Sequence, residues 1–188
     1  MDVYLIRHTR PDLEGARCYG RLDAALAPGW GDEASALAHR LPEGSTIVTS
    51  PDQRCRQLAE VLAADAADRI IVETDLQELD FGTWEGVAWA EIPRHETTWW
   101  AADLWNRAPP GGETYAVLHA RAIAAWSRIL LLNADRVLVI GNAGPLRALL
   151  TIALELPPAS FVRFHLDHGG LSRLAGDSRG WRLEYANR

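Results

Sequence analysis

The sequence predicts an α/β fold, a three-layer α/β/α sandwich built on a largely parallel central sheet. Three observations carry that expectation. Short apolar runs of strand length alternate with segments whose apolar residues recur at helical spacing, as in successive β-α units. Val137-Leu138-Val139-Ile140 is an unbroken apolar run, as expected in the centre of a parallel sheet covered on both faces. The 188 residues, 48% of them apolar, can bury a sizeable core yet fall within single-domain size. Residues 1–188 read as one domain, with no internal repeat, low-complexity tract or linker.

The elements follow in order. Val3-Tyr4-Leu5-Ile6 reads as a buried strand that stops at Arg7-His8-Thr9-Arg10-Pro11, where polar residues and proline end it. After an irregular stretch carrying Tyr19-Gly20-Arg21, the spacing of Ala34, Leu37, Ala38 and Leu41 predicts a helix packed on the sheet. Ile47-Val48-Thr49 is the next strand; Ser50 suits an N-cap, Pro51 the first helical position, and Leu58, Ala59, Val61 and Leu62 form the buried stripe. Ile70-Ile71-Val72 is a further short element, leading into a glycine-bearing loop from Leu79 to Gly86. An insertion over about residues 84–113 holds Trp84, Trp89, Trp99, Trp100 and Trp105 and ends in Pro109-Pro110-Gly111-Gly112. An aromatic insertion of that length is either a lid or a patch of packing.

A helix is predicted from Tyr115 to about Leu132, with Val117, Ala120, Ile123, Ala124, Ile129 and Leu130 facing inward. After the central strand comes Gly141-Asn142-Ala143-Gly144. Pro145 then starts a helix that buries Leu146, Leu149, Leu150 and Leu154 before Pro157-Pro158 ends it. Phe161 to Leu166, Leu171 to Leu174 and Trp181 to Tyr185 read as closing strands.

Charge and composition exclude several functions. A net charge of −6 and a pI near 5.5 leave no basic surface for nucleic acid, so any anion is caught in a local pocket. Cys18 and Cys55 have no metal-ligand spacing and read as reduced thiols of a cytoplasmic protein, with a disulfide left open. No basic-then-apolar leader and no apolar run of the roughly 20 residues that span a bilayer is seen, so no membrane partner is expected. Neither a metal nor a cofactor is implied, and a homodimer is left open.

Polar residues stand where three of these strands end: Arg7-His8, then Ser50 with Arg54 one turn into the next helix, then Gly141-Asn142. Ligands of open α/β sheets bind beyond the carboxyl ends of the strands. Two guanidiniums, one imidazole and the free amides around Ala143 then converge, which suits a phosphate. An imidazole in such a pocket points to attack on phosphorus by histidine itself. The departing alkoxide then needs a proton, and Glu78 is the candidate acid.

These residues also carry a resemblance. Leu5-Ile6-Arg7-His8 resembles the signature of the histidine phosphatase superfamily, the phosphoglycerate mutase-like fold, with Thr9 where glycine is usual. Ser50-Pro51-Asp52-Gln53-Arg54 is similar to the family's Ser-Pro-x-x-Arg, which implies that Arg54 grips phosphate. The segment from Glu78 to Gly86 looks like Glu-x-x-Phe-Gly-x-Trp-Glu-Gly, which implies that Glu78 is the proton donor, and Pro110-Gly111-Gly112-Glu113 matches a motif near the substrate entrance. Arg7-His8-Thr9-Arg10-Pro11 with Cys18-Tyr19-Gly20-Arg21-Leu22-Asp23 most resembles α-ribazole phosphatases, which implies a small phosphomonoester of cobalamin synthesis as substrate.

One position departs from the pattern. The family's second pocket histidine is replaced by Asn142, which keeps an amide donor but no charge, so turnover is expected to be reduced. A phosphate-ligand binding protein of the same fold and a phosphoglycerate mutase are the alternatives. Arg10, Tyr19, Arg21 and Glu113 are candidates for lining the pocket entrance, with surface salt links as the competing use. His165 and His168 are expected to make structural hydrogen bonds unless one swings in for the missing histidine, and His39, His95 and His119 to be surface or helix residues.

Overall fold

The computed structural model describes residues 1–64 and 70–188. Its strands are β1 (Asp2–Arg7), β2 (Thr46–Thr49), β3 (Ile70–Val72), β4 (Arg136–Gly141), β5 (Leu171–Asp177) and β6 (Gly180–Tyr185). The helices are α1 (Trp30–Ala38), α2 (Gln53–Ala63), α3 (Arg94–Ala101), α4 (Tyr115–Leu130) and α5 (Ala143–Ala153). One sheet runs β3-β2-β4-β1-β5-β6. Its first four strands are parallel, and β5 and β6 continue it antiparallel.

Alternation along the central strands makes two cores. Val3, Leu5, Val137 and Val139 face α4 and α5, whereas Tyr4, Ile6, Leu138 and Ile140 face α1 and α2. Register decides where the polar ends emerge: Arg7 pairs with Gly141, and Thr49 with Ile140. His8, Ser50 and Asn142 therefore leave the sheet side by side.

Local chemistry shifts several predicted elements. Phe161 to Leu166 is not a strand; Pro158–Arg163 forms a 3-10 helix that turns Phe161 into the core. The alternating pattern there is overridden by Pro157-Pro158, which fix φ and withhold two amide donors. Helix α2 starts at Gln53 with Asp52 in the N-cap position, while the Ser50 hydroxyl donates to Asp52 Oδ2 at 2.7 Å. Helix α5 starts at Ala143, two residues before Pro145. The buried face of α4 is Tyr115, Leu118, His119, Ala122, Ala125, Trp126 and Ile129, leaving Val117, Ile123 and Leu130 exposed. His119 is accordingly buried, against Trp105, Tyr115 and Thr151. Cys18 and Cys55 are free and buried, and burial pushes the Cys18 thiol up to about 12. Among the described residues no helix is long and apolar enough to cross a membrane.

Candidate active site

His8 follows directly on β1 and is 1% exposed. Its Nδ1 lies 2.7 Å from the carbonyl oxygen of Thr9, and a carbonyl only accepts, so Nδ1 carries the hydrogen. The Nε2 lone pair is left free. Burial first, then the Arg54 guanidinium, holds the imidazole well below its ordinary pKa, against the opposing Thr9 hydrogen bond. His8 is thus a neutral imidazole whose Nε2 carries no hydrogen.

Two guanidiniums flank it. Arg7 donates from Nη1 to Leu166 O at 2.7 Å and from Nη2 to Tyr19 Oη at 3.1 Å, and its buried Nε has no partner among the described residues. Arg54 is completely buried. Its Nη2 donates to Gly20 O at 2.6 Å, its Nη1 to Leu22 O at 2.7 Å and its Nε to Asn142 Oδ1 at 2.9 Å. Its Nη2 also lies 3.7 Å from the buried Asp52 carboxylate. The loop bearing Gly20 is pressed so tightly on the Glu78 segment that a Cβ there would stand 2.0 Å from Leu79 O.

Asn142 is turned away from any phosphate. Besides receiving Arg54, its Nδ2 donates to Asp52 Oδ2 at 2.6 Å and to Ser50 Oγ at 3.4 Å, so both amide hydrogens are engaged. The expectation that it offers an amide hydrogen to the phosphoryl oxygens is corrected by this arrangement: the buried Asp52 carboxyl beneath it is the stronger acceptor. Asn142 occupies the N-cap position of α5 without capping it. Its Oδ1 instead holds the Arg54 guanidinium.

Glu78 approaches from the opposite side. Oε2 accepts the Gly144 N–H at 3.1 Å and Oε1 the Leu79 N–H at 2.9 Å, which places the carboxylate on the positive first turn of α5. The lack of a side chain at Gly144 makes room for this carboxyl, since a Cβ would stand 2.1 Å from Oε1. The backbone of the Glu78 loop is gripped from behind. Arg121 on α4 donates to the carbonyls of Asp75, Gln77 and Glu78 and to Glu113 Oε1. Arg21 donates to Glu78 O at 3.3 Å, Asp80 Oδ2 at 3.2 Å and Glu113 Oε1 at 3.1 Å. Arg21 and Glu113, expected at the pocket entrance, instead brace the loop that carries Glu78. Sequence reasoning missed Arg121; the available signal was a cation within the mostly apolar first half of the helix, eight residues after Glu113.

Beside Glu78 opens a cavity of about 170 Å³ walled by Phe81, Trp100, Tyr115, Phe161, Ala143 and Arg147. Arg147 makes no hydrogen bond or ion pair to any described residue, and its Nε is buried. Burial lowers its pKa while Glu78 opposes that shift. Three of the insertion's tryptophans form a patch of packing. Trp84, Trp89 and Trp100 pack on one another and on Phe81 as a small core, with the Trp84 indole N–H donating to Glu96 at 3.2 Å. Trp100 also lines the cavity, and Trp89 lines the groove beside Arg7 and Tyr19. Arg10 is exposed at the outer end of that groove, near Tyr19 and His168. His165 is exposed and lies 2.9 Å from Asp167.

Comparison with known proteins agrees with this geometry. Residues 3–188 match the histidine phosphatase superfamily (branch 1). A bifunctional protein of Mycobacterium tuberculosis is 32% identical over 178 residues, which are 90% of this chain and 49% of that protein. The chain therefore spans about half the length of that curated relative. A mycobacterial glucosyl-3-phosphoglycerate phosphatase, solved as a VO3 complex, superposes with a TM-score of 0.86 at 26% identity, over 99% of this chain and 98% of its own. The α-ribazole phosphatase of Shigella flexneri has the same fold, with a TM-score of 0.86 at 21% identity over 100% and 96% of the two chains. With a signature histidine at the end of β1 and a match that runs nearly from end to end, the chain belongs to the histidine phosphatase superfamily.

Proposed function

We propose that this protein is a phosphomonoesterase that works through a phosphohistidine on His8. The observation that carries this reading is the Nδ1 to Thr9 hydrogen bond, which leaves a neutral Nε2 lone pair between Arg7 and Arg54. In the first step Nε2 attacks phosphorus and the ester P–O bond breaks. Glu78, on the wall of the adjoining cavity, gives a proton to the departing oxygen. In the second step Glu78 takes a proton from water, the hydroxide attacks phosphorus, the P–N bond breaks and phosphate leaves.

For the leaving group we propose α-ribazole, as the N-terminal resemblance implies. The aromatic walls of the cavity beside Glu78 support it, since they suit a flat base. A second reading has its own observation: the unpaired Arg147 in that cavity favours a leaving group with a negative charge, such as a glycerate carboxylate.

The test is phosphate release from α-ribazole 5′-phosphate, glucosyl-3-phosphoglycerate and an aryl phosphate, by this protein, His8→Ala and Asn142→His. Turnover by the unaltered chain that His8→Ala abolishes is the expected result, and preference between the first two substrates decides the leaving group. Activity confined to Asn142→His would make this chain a phosphate-binding form of the fold. Release by His8→Ala at the unaltered rate would overturn the phosphohistidine.

A further inference from the structure

We propose that His168, on the turn ahead of β5, is the second imidazole of the phosphate site and donates to a non-bridging phosphoryl oxygen. This rests on the phosphohistidine reading. Its starting point is Asn142, which spends both side-chain amide hydrogens on Asp52 and Ser50 and so offers neither to a phosphoryl group beside His8. The ring that does face His8 is His168, with centroids 5.3 Å apart and planes inclined by 53°. At that separation both rings reach one phosphoryl group.

The turn that carries His168 is fastened to the nucleophile's own strand. Gly169 N–H donates to both Arg7 O and His8 O at 3.1 Å, Arg7 N–H donates to Gly170 O at 3.2 Å, and the Arg7 side chain donates to Leu166 O at 2.7 Å. His168 thus moves with His8 rather than with the protein surface, which is what a group aimed at a reacting phosphorus requires.

Hydrogen bonding also sets its tautomer. Tyr19 Oη accepts from Arg7 Nη2, so its own hydrogen is available to His168 Nε2, 3.0 Å away. Nδ1 then carries the ring's N–H, free to donate even while the imidazole is neutral. Around the ring stand Arg7 from β1, Arg10 from the loop that follows, Arg54 from α2, Asp167 on its own turn, and His8. Burial first, then Arg7 and Arg10, lower its pKa to about 4 in the empty site, with Asp167 opposing. A bound phosphate dianion reverses the cationic part of that balance, so the ring takes up a proton from solvent and donates as an imidazolium. The proton returns to solvent when phosphate leaves, and the cycle balances.

The experiment has a kinetic and a spectroscopic arm. His168→Ala should lower kcat by roughly 10²–10³-fold, the usual cost of one oxyanion donor, with a smaller change in KM. His168→Gln, which keeps a neutral donor, should recover part of that loss, whereas a merely structural role predicts equal melting and equal turnover for both variants. In the second arm, NMR of the imidazole rings follows the unaltered protein as inorganic phosphate is added. The His168 titration should move up from about 4, and should still do so in His8→Ala. Turnover of His168→Ala within threefold of the unaltered protein, or a His168 titration unmoved at saturating phosphate, would overturn the assignment. If the unaltered protein releases phosphate from nothing, the phosphatase reading fails while the titration still decides His168.

Discussion

Replacing Gly144 by alanine separates the acid from the fold. The new Cβ would stand 2.1 Å from Glu78 Oε1 and 3.1 Å from Leu118 Cδ1, and only the first of these is a severe overlap. Ordinary contact begins near 3.4 Å, so the carboxyl has to withdraw by more than an ångström and release the 3.1 Å hydrogen bond from Gly144 N–H. Because Gly144 lies within α5 at negative φ, alanine adds no backbone strain and gains up to about 1 kcal/mol of helix propensity. Melting should therefore be unchanged or a few degrees higher. A misplacement of about 1 Å costs on the order of 10²-fold in a positioned catalyst, and that loss should appear only where the leaving group needs a proton. The assay is kcat for an alkyl phosphate against kcat for 4-nitrophenyl phosphate, whose phenolate leaves unaided. A roughly 10²-fold fall for the first, with a change under about threefold for the second, is expected. Equal losses on both substrates, or no loss on either, would refute Glu78 as the proton donor held by the first turn of α5.

Two further outcomes follow from the same network. Arg121→Met removes the donor that ties the carbonyls of Asp75, Gln77 and Glu78 to α4, so kcat should fall about 10- to 100-fold with KM little changed, and urea melts should show a loss of about 1–3 kcal/mol; unaltered kinetics would show that the loop stands by itself. Stability should decline as pH falls below about 6.5, because His8, His119 and His168 all have folded pKa values below their ordinary one. The unfolded chain then binds protons that the folded chain refuses, so unfolding free energy rises with pH, and the His168 share is lost between 6.5 and about 4. A urea midpoint at pH 5 equal to or above that at pH 7.5 would contradict this.

The parallel core was legible because its strands are short, apolar and nearly continuous, a pattern that burial on both faces imposes. The meeting of His8 and Arg54 was legible because they stand at strand ends or one turn beyond, where the register has to bring them together. Helix α4 was misread because almost every position from Tyr115 to Ile129 is apolar, so periodicity does not single out a face. His119 and Trp126 mark the true one. The orientation of Asn142 was invisible for a different reason: it depends on Asp52, ninety positions away in sequence and buried only in the folded chain. The same holds for His168, whose turn meets Arg7 across 159 positions through Leu166. Strand ends are local information, whereas the hydrogen-bond partners of a side chain are not.

The pairing of Trp89 with Trp100 gives the protein an optical voice. Their rings are stacked at 24° with centroids 6.2 Å apart, one beside the groove and the other on the cavity wall. Indoles held so close couple their transitions, and a ligand sliding between Arg7 and Phe81 changes the polarity each one reports. Near-ultraviolet dichroism should therefore change when a ligand enters, whether or not the bound molecule is ever cleaved, against the background of the other six tryptophans.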